Sequence, residues 1–204
     1  MIYEIRTYNL KSGSVAEVEK RFAESLPGRV LLSRLAGFWH TEIGPLNQIV
    51  NIWPYEDLNH REETRKQAIS STWPPDISEF TLDIRSEIFI PASFMAPMTE
   101  REIGSMYEMR TYTYPSEEAT QRVIDAWGDA IVEREKLSPL AGCWHAEIEG
   151  VHKFVHLWAY RSLDERAKVR EETREKGIWP PRHGISAAKM ENKILIPASF
   201  SPMQ

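Results

Sequence analysis

Apolar and polar residues alternate along several short stretches of this chain. Residues 3–8 alternate and are rich in Tyr, Ile and Thr, which predicts a strand. Residues 38–43 and 48–55 alternate on either side of Gly44-Pro45-Leu46-Asn47, which predicts a hairpin with a turn between its strands. A last strand is predicted to run to Ile88 or Ile90 and to stop at Pro91.

Two helices are predicted between these strands. Apolar residues at helical spacing indicate an amphipathic helix that we expect to stop at Pro27-Gly28. Its apolar face consists of Val15, Val18, Phe22 and Leu26. A second, highly charged helix is capped by Asp57, and by Ser162 in the corresponding later segment. We interpret the charged runs 61–66 and 166–176 as solvated helix faces.

The whole pattern occurs twice. Tyr3-Glu4-Ile5-Arg6-Thr7-Tyr8 returns as Tyr107-Glu108-Met109-Arg110-Thr111-Tyr112, a shift of 104 residues. Residues 36–43 return as 141–148, a shift of 105, and we align 61–65 with 170–174. Each copy predicts the order βαββαβ, and the shifts indicate a tandem duplication.

One βαββαβ unit carries its helices on one face of a four-stranded sheet and leaves the other face uncovered. Two copies in one chain can press these faces together. The predicted fold class is therefore α+β, with two ferredoxin-like βαββαβ repeats that form one intramolecular α+β barrel. We place the first repeat at residues 1–98, a linker at 99–104 and the second repeat at 105–204.

Composition is that of an ordinary globular protein and narrows the choice of partners. The chain has 204 residues, 25 Lys plus Arg against 30 Asp plus Glu, and a net charge of −5, so nucleic acid is a poor partner. No apolar stretch reaches the roughly 18–20 residues that span a bilayer, and we expect a cytoplasmic protein. Its one cysteine, Cys143, is interpreted as a buried spectator.

Strand alternation predicts which side chains line the barrel. We expect Val50 and Ile52 to face the helices and their neighbours to face the barrel interior. The predicted interior set is Glu4, Arg6, His40, Glu42, Asn51 and Trp53, although a bulge would exchange the two faces.

Arg6 and Arg110 have two interpretations. In the structural one they bridge Glu4, Glu42 or their duplicates and set the register of the two sheets. In the functional one they orient an anionic or carbonyl group in a substrate-binding pocket. The walls of that pocket would be Trp39, Trp144, Asn51, Trp53 and Trp158.

His40 and its duplicate His145 are the candidate catalytic residues, as general acids or bases. The alternatives are a hydrogen-bonded core histidine and a haem or metal ligand. No zinc-ligand spacing is present, so we expect no metal and no cofactor, with haem as the remaining alternative. Trp73-Pro74-Pro75 and Trp179-Pro180-Pro181 are interpreted as lids or as packing anchors.

Both copies resemble the NIPSNAP family. The first copy carries the resemblance in 3–8, in 37–47 and in Trp53-Pro54-Tyr55-Glu56-Asp57 followed by Arg61. The second copy departs from it at Glu149-Gly150-Val151-His152, where the family pattern has Gly-Pro-Leu-Asn. The resemblance implies a dimeric α+β barrel, closed here within one chain. It implies no activity, because the family has no agreed catalytic set.

The leading hypothesis is a protein that binds a small aromatic or carbonyl compound in half-barrel pockets, with oxygenase- or isomerase-like chemistry as an extension. The altered turn of the second copy suggests that the two pockets are not equivalent. The rival is a noncatalytic scaffold protein with a filled barrel. An enclosed cavity beside Arg6 and His40 favours the first, and Arg6 paired to Glu42 favours the second. We also expect a homo-oligomer, since free sheet edges can pair with another chain.

Overall fold

The computed structural model describes residues 1–69, 71–148 and 152–204, and within them each repeat has the order βαββαβ. The elements of the first repeat are β1 Ile2–Leu10, α1 Val15–Val30, β2 Gly37–Ile43, β3 Gln48–Tyr55, α2 Leu58–Ile69 and β4 Thr81–Pro91. Those of the second repeat are β5 Met106–Thr113, α3 Glu117–Glu135, β6 Leu140–Ile148, β7 Lys153–Tyr160, α4 Leu163–Glu175 and β8 Lys189–Pro197. The predicted order of elements is confirmed.

The strands of both repeats form one closed barrel in the order β1-β3-β2-β8-β5-β7-β6-β4. Two antiparallel seams join the repeats. In one, His40 of β2 lies opposite Ile196 of β8, and in the other, Ile90 of β4 lies opposite His145 of β6. The predicted intramolecular barrel is therefore confirmed. Because every named strand is paired on both sides, free sheet edges no longer support a homo-oligomer, which stays a prediction.

The helix starts follow the predicted caps, whereas one predicted stop is wrong. Asp57 Oδ1 accepts a hydrogen bond from the His60 amide at 2.8 Å, and Ser162 Oγ accepts one from the Glu165 amide at 3.1 Å. Helix α1, however, contains Pro27 and continues to Val30. The last turn of α1 is stabilised by a contact with β3, since Arg29 donates to the Tyr55 hydroxyl at 2.9 Å. Within the described ranges, no helix combines the length and the apolar character needed to cross a membrane.

The predicted assignment of faces is wrong, and the two faces are exchanged. Val50 and Ile52 lie in the barrel interior. Glu4, Arg6 and the other residues that we expected inside face the helices or the surface: His40, Glu42, Asn51 and Trp53. Both faces of these strands are rich in apolar residues, so alternation separates two sets without saying which set is inside. The helices decide, because they supply the partners that buried charged groups need.

Four aromatic rings fill one end of the barrel. Trp39 of the first repeat packs on Tyr107 of the second with ring centroids 5.4 Å apart, and Tyr3 packs on Trp144 at 5.7 Å. Both indoles are fully buried. We call these four residues the aromatic plug. The plug joins the repeats through their own duplicated residues and leaves no space for a ligand at this end.

The linker and the C-terminus cover the plug from outside the barrel. Met98 and Met203 pack into the same core as the plug, and Arg101 forms a parallel bridge with Met203. The Tyr107 hydroxyl donates to the Gln204 carbonyl at 3.2 Å. The segment that connects the repeats is thus also part of the barrel's closed end.

Two glycines make room for the plug, and we expect alanine at either to destabilise the protein. A Cβ on Gly37 would lie 1.9 Å from Trp39 Cη2, and one on Gly142 would lie 2.0 Å from Trp144 Cη2. Overpacking of this kind costs about 1–3 kcal/mol, so Gly37→Ala and Gly142→Ala should each lower the free energy of unfolding by that amount in urea titrations.

The matched control is Gly28→Ala in helix α1, where an added Cβ meets nothing within 4 Å. It should leave stability unchanged or raise it by up to about 1 kcal/mol. Equal effects of Gly37→Ala and Gly28→Ala would contradict the packing of the plug.

Candidate functional site

A cavity of about 470 Å³ occupies the end of the barrel opposite the aromatic plug. We call it the barrel-mouth cavity. Its floor is apolar and consists of Ile5, Phe89, Met109 and Val155. Two strands of each repeat contribute to this floor, so the cavity exists only because the repeats share one barrel. Its volume lies within the roughly 300–1,000 Å³ of typical ligand pockets.

The wall of the barrel-mouth cavity is polar and mostly cationic. Among the described residues that line it, four are cations and two are carboxylates. The charged set is Arg85, Lys153, Lys189, Lys193, Glu87 and Glu191. The uncharged polar set includes Thr7, Asn9, Gln48, Thr111 and Thr113. In a chain of net charge −5, this local excess of positive charge favours an anionic ligand.

Two polar pairs cross between the repeats in this cavity. Lys153 forms a short salt bridge with Glu87, and Lys193 Nζ donates to Gln48 Oε1 at 3.1 Å. Gln48 and Lys153 are the first residues of β3 and β7. Glu87 and Lys193 each lie four residues before the proline that ends β4 or β8. The two pairs therefore occupy equivalent positions of the duplication, but the lysine lies on β7 in one pair and on β8 in the other, where its partner is a carboxylate and an amide respectively.

The surroundings of Lys193 shift its protonation equilibrium. Burial and, to a smaller extent, the nearby charge of Arg85 bring its pKa down to about 8. Glu87 and Glu191 act in the opposite direction. A lysine near pKa 8 holds a substantial fraction of neutral amine at neutral to mildly basic pH, and neutral amine is the nucleophilic form.

On the helix side, each repeat buries one carboxylate beneath three arginines. Glu4 is 1% exposed, and its Oε1 lies 2.7 Å from Arg61, 3.6 Å from Arg65 and 3.9 Å from Arg6. Ser86 Oγ also donates to it at 2.5 Å. We call this group and its duplicate the arginine–carboxylate clusters.

The second cluster repeats the first in detail. Glu108 is fully buried, and its carboxylate lies 2.6 Å from Arg166, 3.7 Å from Arg110 and 3.8 Å from Arg170. Since Arg166 and Arg170 belong to α4 and Glu108 to β5, the cluster joins the helix to the sheet.

Burial alone would raise the pKa of Glu4 and of Glu108, but their arginines outweigh it. In Glu4 the hydrogen bond from Arg61 and the charge of Arg6 bring the pKa below its ordinary value, and in Glu108 the hydrogen bond from Arg166 and the charge of Arg110 do the same. Both carboxylates are therefore ionised at neutral pH. A small pocket of about 100 Å³ adjoins the first cluster. It is smaller than the cavity of about 150 Å³ that holds benzene.

The NIPSNAP family model matches residues 3–96 and again residues 107–202. This chain belongs to the NIPSNAP family. The two matches correspond to the two repeats of the barrel.

Relatives span the whole NIPSNAP chain. A NipSnap homolog from Dictyostelium discoideum is 25% identical over 98% of this chain and 88% of its own length. The human NipSnap homolog 3A is 27% identical over 100% of this chain and 86% of its own length. A crystal structure of a putative monooxygenase from Lactobacillus acidophilus is similar in fold, with a TM-score of 0.68, 8% identity and coverage of 96% and 92%. At that identity it shows the fold alone.

The arginine–carboxylate clusters correct the sequence alignment of the two NIPSNAP repeats. Arg61 corresponds to Arg166, which makes the same contact, and not to Arg170. The interpretation of these helix faces as solvated is wrong at both positions, because each guanidinium reaches a buried carboxylate. Of the two carboxylates that we considered as partners of Arg6, Glu4 lies 3.9 Å from it and Glu42 is exposed. The sequence signal for the correct alignment was the shift of 105 that the neighbouring motifs share.

The two histidines of this NIPSNAP chain have different surroundings. His40 Nδ1 lies 2.7 Å from Glu19 Oε1 of α1, and that hydrogen bond raises the pKa of His40. His145 lines a pocket of about 280 Å³ with Ile124, which takes the place of Glu19 in α3. Neither histidine lines the barrel-mouth cavity. In the described part of the chain, no cluster of His, Cys, Asp and Glu is arranged to hold a metal ion.

The pocket at His145 measures about 280 Å³, below the roughly 300 Å³ at which pockets for drug-sized molecules begin, and a porphyrin exceeds such molecules. Haem therefore does not fit this pocket as it stands. For His40 the haem alternative stays a prediction.

The structure does not bring the predicted binding residues into one site. Trp39 and Trp144 belong to the plug, whereas Asn51, Trp53 and Trp158 face the helices. Trp53 Nε1 donates to Asn51 Oδ1 at 2.9 Å. Trp158 Nε1 makes the same contact with His156 Nδ1 at 3.0 Å.

Further interactions support the structural interpretation of these helix-facing residues. Arg29 and Arg134 stack on Trp53 and Trp158, each with its guanidinium carbon 4.1 Å from the ring. Trp73 and Trp179 pack on the same indoles, which supports the anchor interpretation of the Trp-Pro-Pro segments. The altered turn of the second repeat, Glu149-Gly150-Val151, lies outside the described residues, and His152, which follows it, has a positive φ of 68°.

Sequence reasoning missed the residues of the barrel-mouth cavity. Lys193, Glu87, Gln48 and Lys153 differ between the repeats, so a search for duplicated motifs passes over them. Their position along the strands was the available signal. Each of them lies an even number of residues from an apolar residue of the barrel interior and so shares its face of the sheet. Lys193, for example, lies two residues before Leu195.

Replacing Glu4 should make the free energy of unfolding less dependent on acid. The lowered pKa of Glu4 means that its contribution is present above the ordinary carboxyl value of 4.5 and is lost as pH falls through the folded value. Glu4→Gln should cost about 3 kcal/mol at pH 7, the usual cost of breaking a buried pair. Urea titrations from pH 7 to pH 3 should show this difference shrink toward zero.

The control is Glu100→Gln, which changes an exposed carboxylate. It should alter stability little at any pH. A Glu4→Gln deficit that stays constant down to pH 3 would show that the ionised carboxylate is not what holds α2 to the sheet.

Proposed function

We propose that this NIPSNAP protein binds a small organic anion with an aromatic or carbonyl group, in the barrel-mouth cavity. The observation that carries the proposal is a cavity of about 470 Å³ with an apolar floor and a cationic wall. An apolar floor takes the body of a ligand, and convergent polar groups orient its charged end. Charge attraction also favours capture of an anion at the open end.

The helix-side pockets support this role less well. The pocket beside Arg6 measures about 100 Å³, and its arginines already surround Glu4. A site of that size suits a group of a few atoms, whereas an aromatic acid needs more space. We therefore move the proposed ligand from the half-barrel pockets, where sequence reasoning placed it, to the cavity that both repeats share.

The alternative function, a scaffold with a filled barrel, agrees with only one end of the barrel. The aromatic plug fills the interior around Trp39 and Trp144, as a purely structural barrel requires. The opposite end holds charged side chains around open space. A scaffold with a filled barrel has no need for this open space, nor for a partly buried Lys193 whose partner is an amide.

The proposal stops at binding. The monooxygenase-like name belongs to a protein that is 8% identical to this chain, and a shared fold hosts many unrelated chemistries. Oxygenase- or isomerase-like turnover, the catalytic roles of His40 and His145, and a cytoplasmic location remain predictions.

Benzoate and phenylpyruvate should raise the melting temperature of the wild-type protein. A ligand at about 100 times its Kd adds about 2.7 kcal/mol to stability, which corresponds to roughly 5–10 °C for a chain of this size. Thr111 lines the cavity on β5. Thr111→Phe should therefore fill part of the cavity and abolish the rise in thermal-shift titrations.

The control for this experiment is Arg6→Ala, which changes the helix-side pocket and leaves the barrel mouth intact. It should lower the starting melting temperature and keep the ligand-induced rise. The reverse pattern, with binding lost in Arg6→Ala and kept in Thr111→Phe, would place the ligand on the helix side and refute the proposal.

A further inference from the structure

The barrel-mouth cavity contains one lysine whose partner across the barrel is an amide. Lys153 pairs with the carboxylate of Glu87, whereas Lys193 meets the amide of Gln48. A neutral amide accepts a hydrogen bond but offers no full negative charge to an ammonium group. The positive form of Lys193 is thus less stabilised than that of Lys153.

The other charges that face Lys193 do not replace the missing partner. From β4 come Arg85 and Glu87, and Glu87 is engaged by Lys153 of β7. On its own strand, Glu191 is paired with Lys189 at 3.0 Å.

The remaining strands add no charge among the described lining residues. β1 contributes Thr7 and Asn9, β3 contributes Gln48, and β5 contributes Thr111 and Thr113. Lys193 is therefore surrounded by two carboxylates that are each paired with another lysine, by Arg85 and by neutral groups.

The surroundings of Lys193 match those of lysines that react with carbonyl groups. Its side chain is partly buried, its pKa is lowered to about 8, and it lines a cavity with an apolar floor. Lysines that are desolvated or lie next to another cation become nucleophiles and form Schiff bases. Arg85 and Lys189 line the same cavity and can hold an anionic group of the same ligand.

We propose that Lys193 forms an imine with the aldehyde or ketone group of an anionic ligand bound in the barrel-mouth cavity. This inference rests on the proposed function, since it needs the same cavity to hold the ligand, and it adds the covalent step and the residue.

The step is balanced without any further reactant. The neutral Nζ attacks the carbonyl carbon, the C=O π electrons move to oxygen, and the proton that nitrogen loses passes through water to that oxygen. The resulting carbinolamine expels its hydroxyl, which leaves as water with the second proton of the nitrogen, and a C=N bond forms. One water leaves for each imine, and nothing is oxidised or reduced. The open end of the cavity gives the departing water a route to solvent.

Reductive trapping tests the proposal. The full chain is incubated with pyridoxal 5′-phosphate, an anionic aldehyde, then reduced with sodium borohydride, digested and mapped by mass spectrometry. At pH 7.5 a lysine of pKa about 8 is roughly one quarter neutral, against about 0.1% for an ordinary lysine. Lys193 should therefore be labelled at least about tenfold more than Lys189, an exposed lysine on the same strand.

Three variants separate reactivity from simple exposure. Lys168→Arg, at an exposed lysine of α4 that does not line the cavity, should leave the labelling of residue 193 unchanged, and Lys193→Arg should remove the dominant adduct. Gln48→Glu gives Lys193 a carboxylate partner of the kind that Lys153 has in Glu87. It should reduce labelling about tenfold at pH 7.5 and move the midpoint of the pH profile from near 8 to a higher value, because a nearby negative charge raises a lysine pKa.

The outcomes distinguish the covalent step from the binding site. Labels spread evenly over the lysines, or labelling of Lys193 that Gln48→Glu leaves unchanged, would overturn the proposal. Benzoate has no carbonyl group that forms an imine, so its thermal shift reports binding alone. If benzoate stabilises the protein and no Lys193 adduct forms, the imine is refuted while the proposed function stands; if neither occurs, both fail.

Discussion

Closure of the eight-stranded sheet is the constraint on which the rest of the structure depends. Every strand finds a hydrogen-bonded neighbour on both sides only when the two repeats share one barrel. The interior of an eight-stranded barrel is just wide enough to be filled by side chains or to hold one small ligand. This NIPSNAP chain does both: Trp39 and Trp144 fill one end with their partners, and the other end remains a cavity of about 470 Å³.

Buried carboxylates determine how the helices sit on this barrel. Glu4 and Glu108 lie on strands but find their closest cations, Arg61 and Arg166, on helices. A buried ionised group is tolerated only when it is paired, so each cluster favours one placement of a helix on its sheet. The same pairing explains why Arg6, which the sequence suggests as a substrate-binding residue, has a structural setting here.

Duplication and divergence divide the molecule into two kinds of position. The arginine–carboxylate clusters and the Trp-Pro-Pro anchors occur once in each repeat, and each repeat contributes the same two residues to the aromatic plug. These duplicated features hold the barrel together. The barrel-mouth cavity is where the repeats differ, and Gln48 opposite Lys193 is the clearest case. A pseudo-twofold axis would give a ligand two equivalent orientations in a shared cavity. Differences such as this one remove the equivalence, and the proposed ligand would then have a single orientation.

The sequence by itself determined the order of strands and helices, the caps at Asp57 and Ser162, and the single barrel of two repeats. These features follow from local periodicity, capping chemistry and self-similarity, which are all written along the chain. Only the tertiary structure decided which face of each strand is inside. Strand alternation sorts residues into two sets, but the choice between them depends on groups far away in sequence, such as Arg61 for Glu4. For the same reason the reactive setting of Lys193 could not be predicted, because it depends on Gln48, which lies 145 residues away and meets it only across the closed barrel.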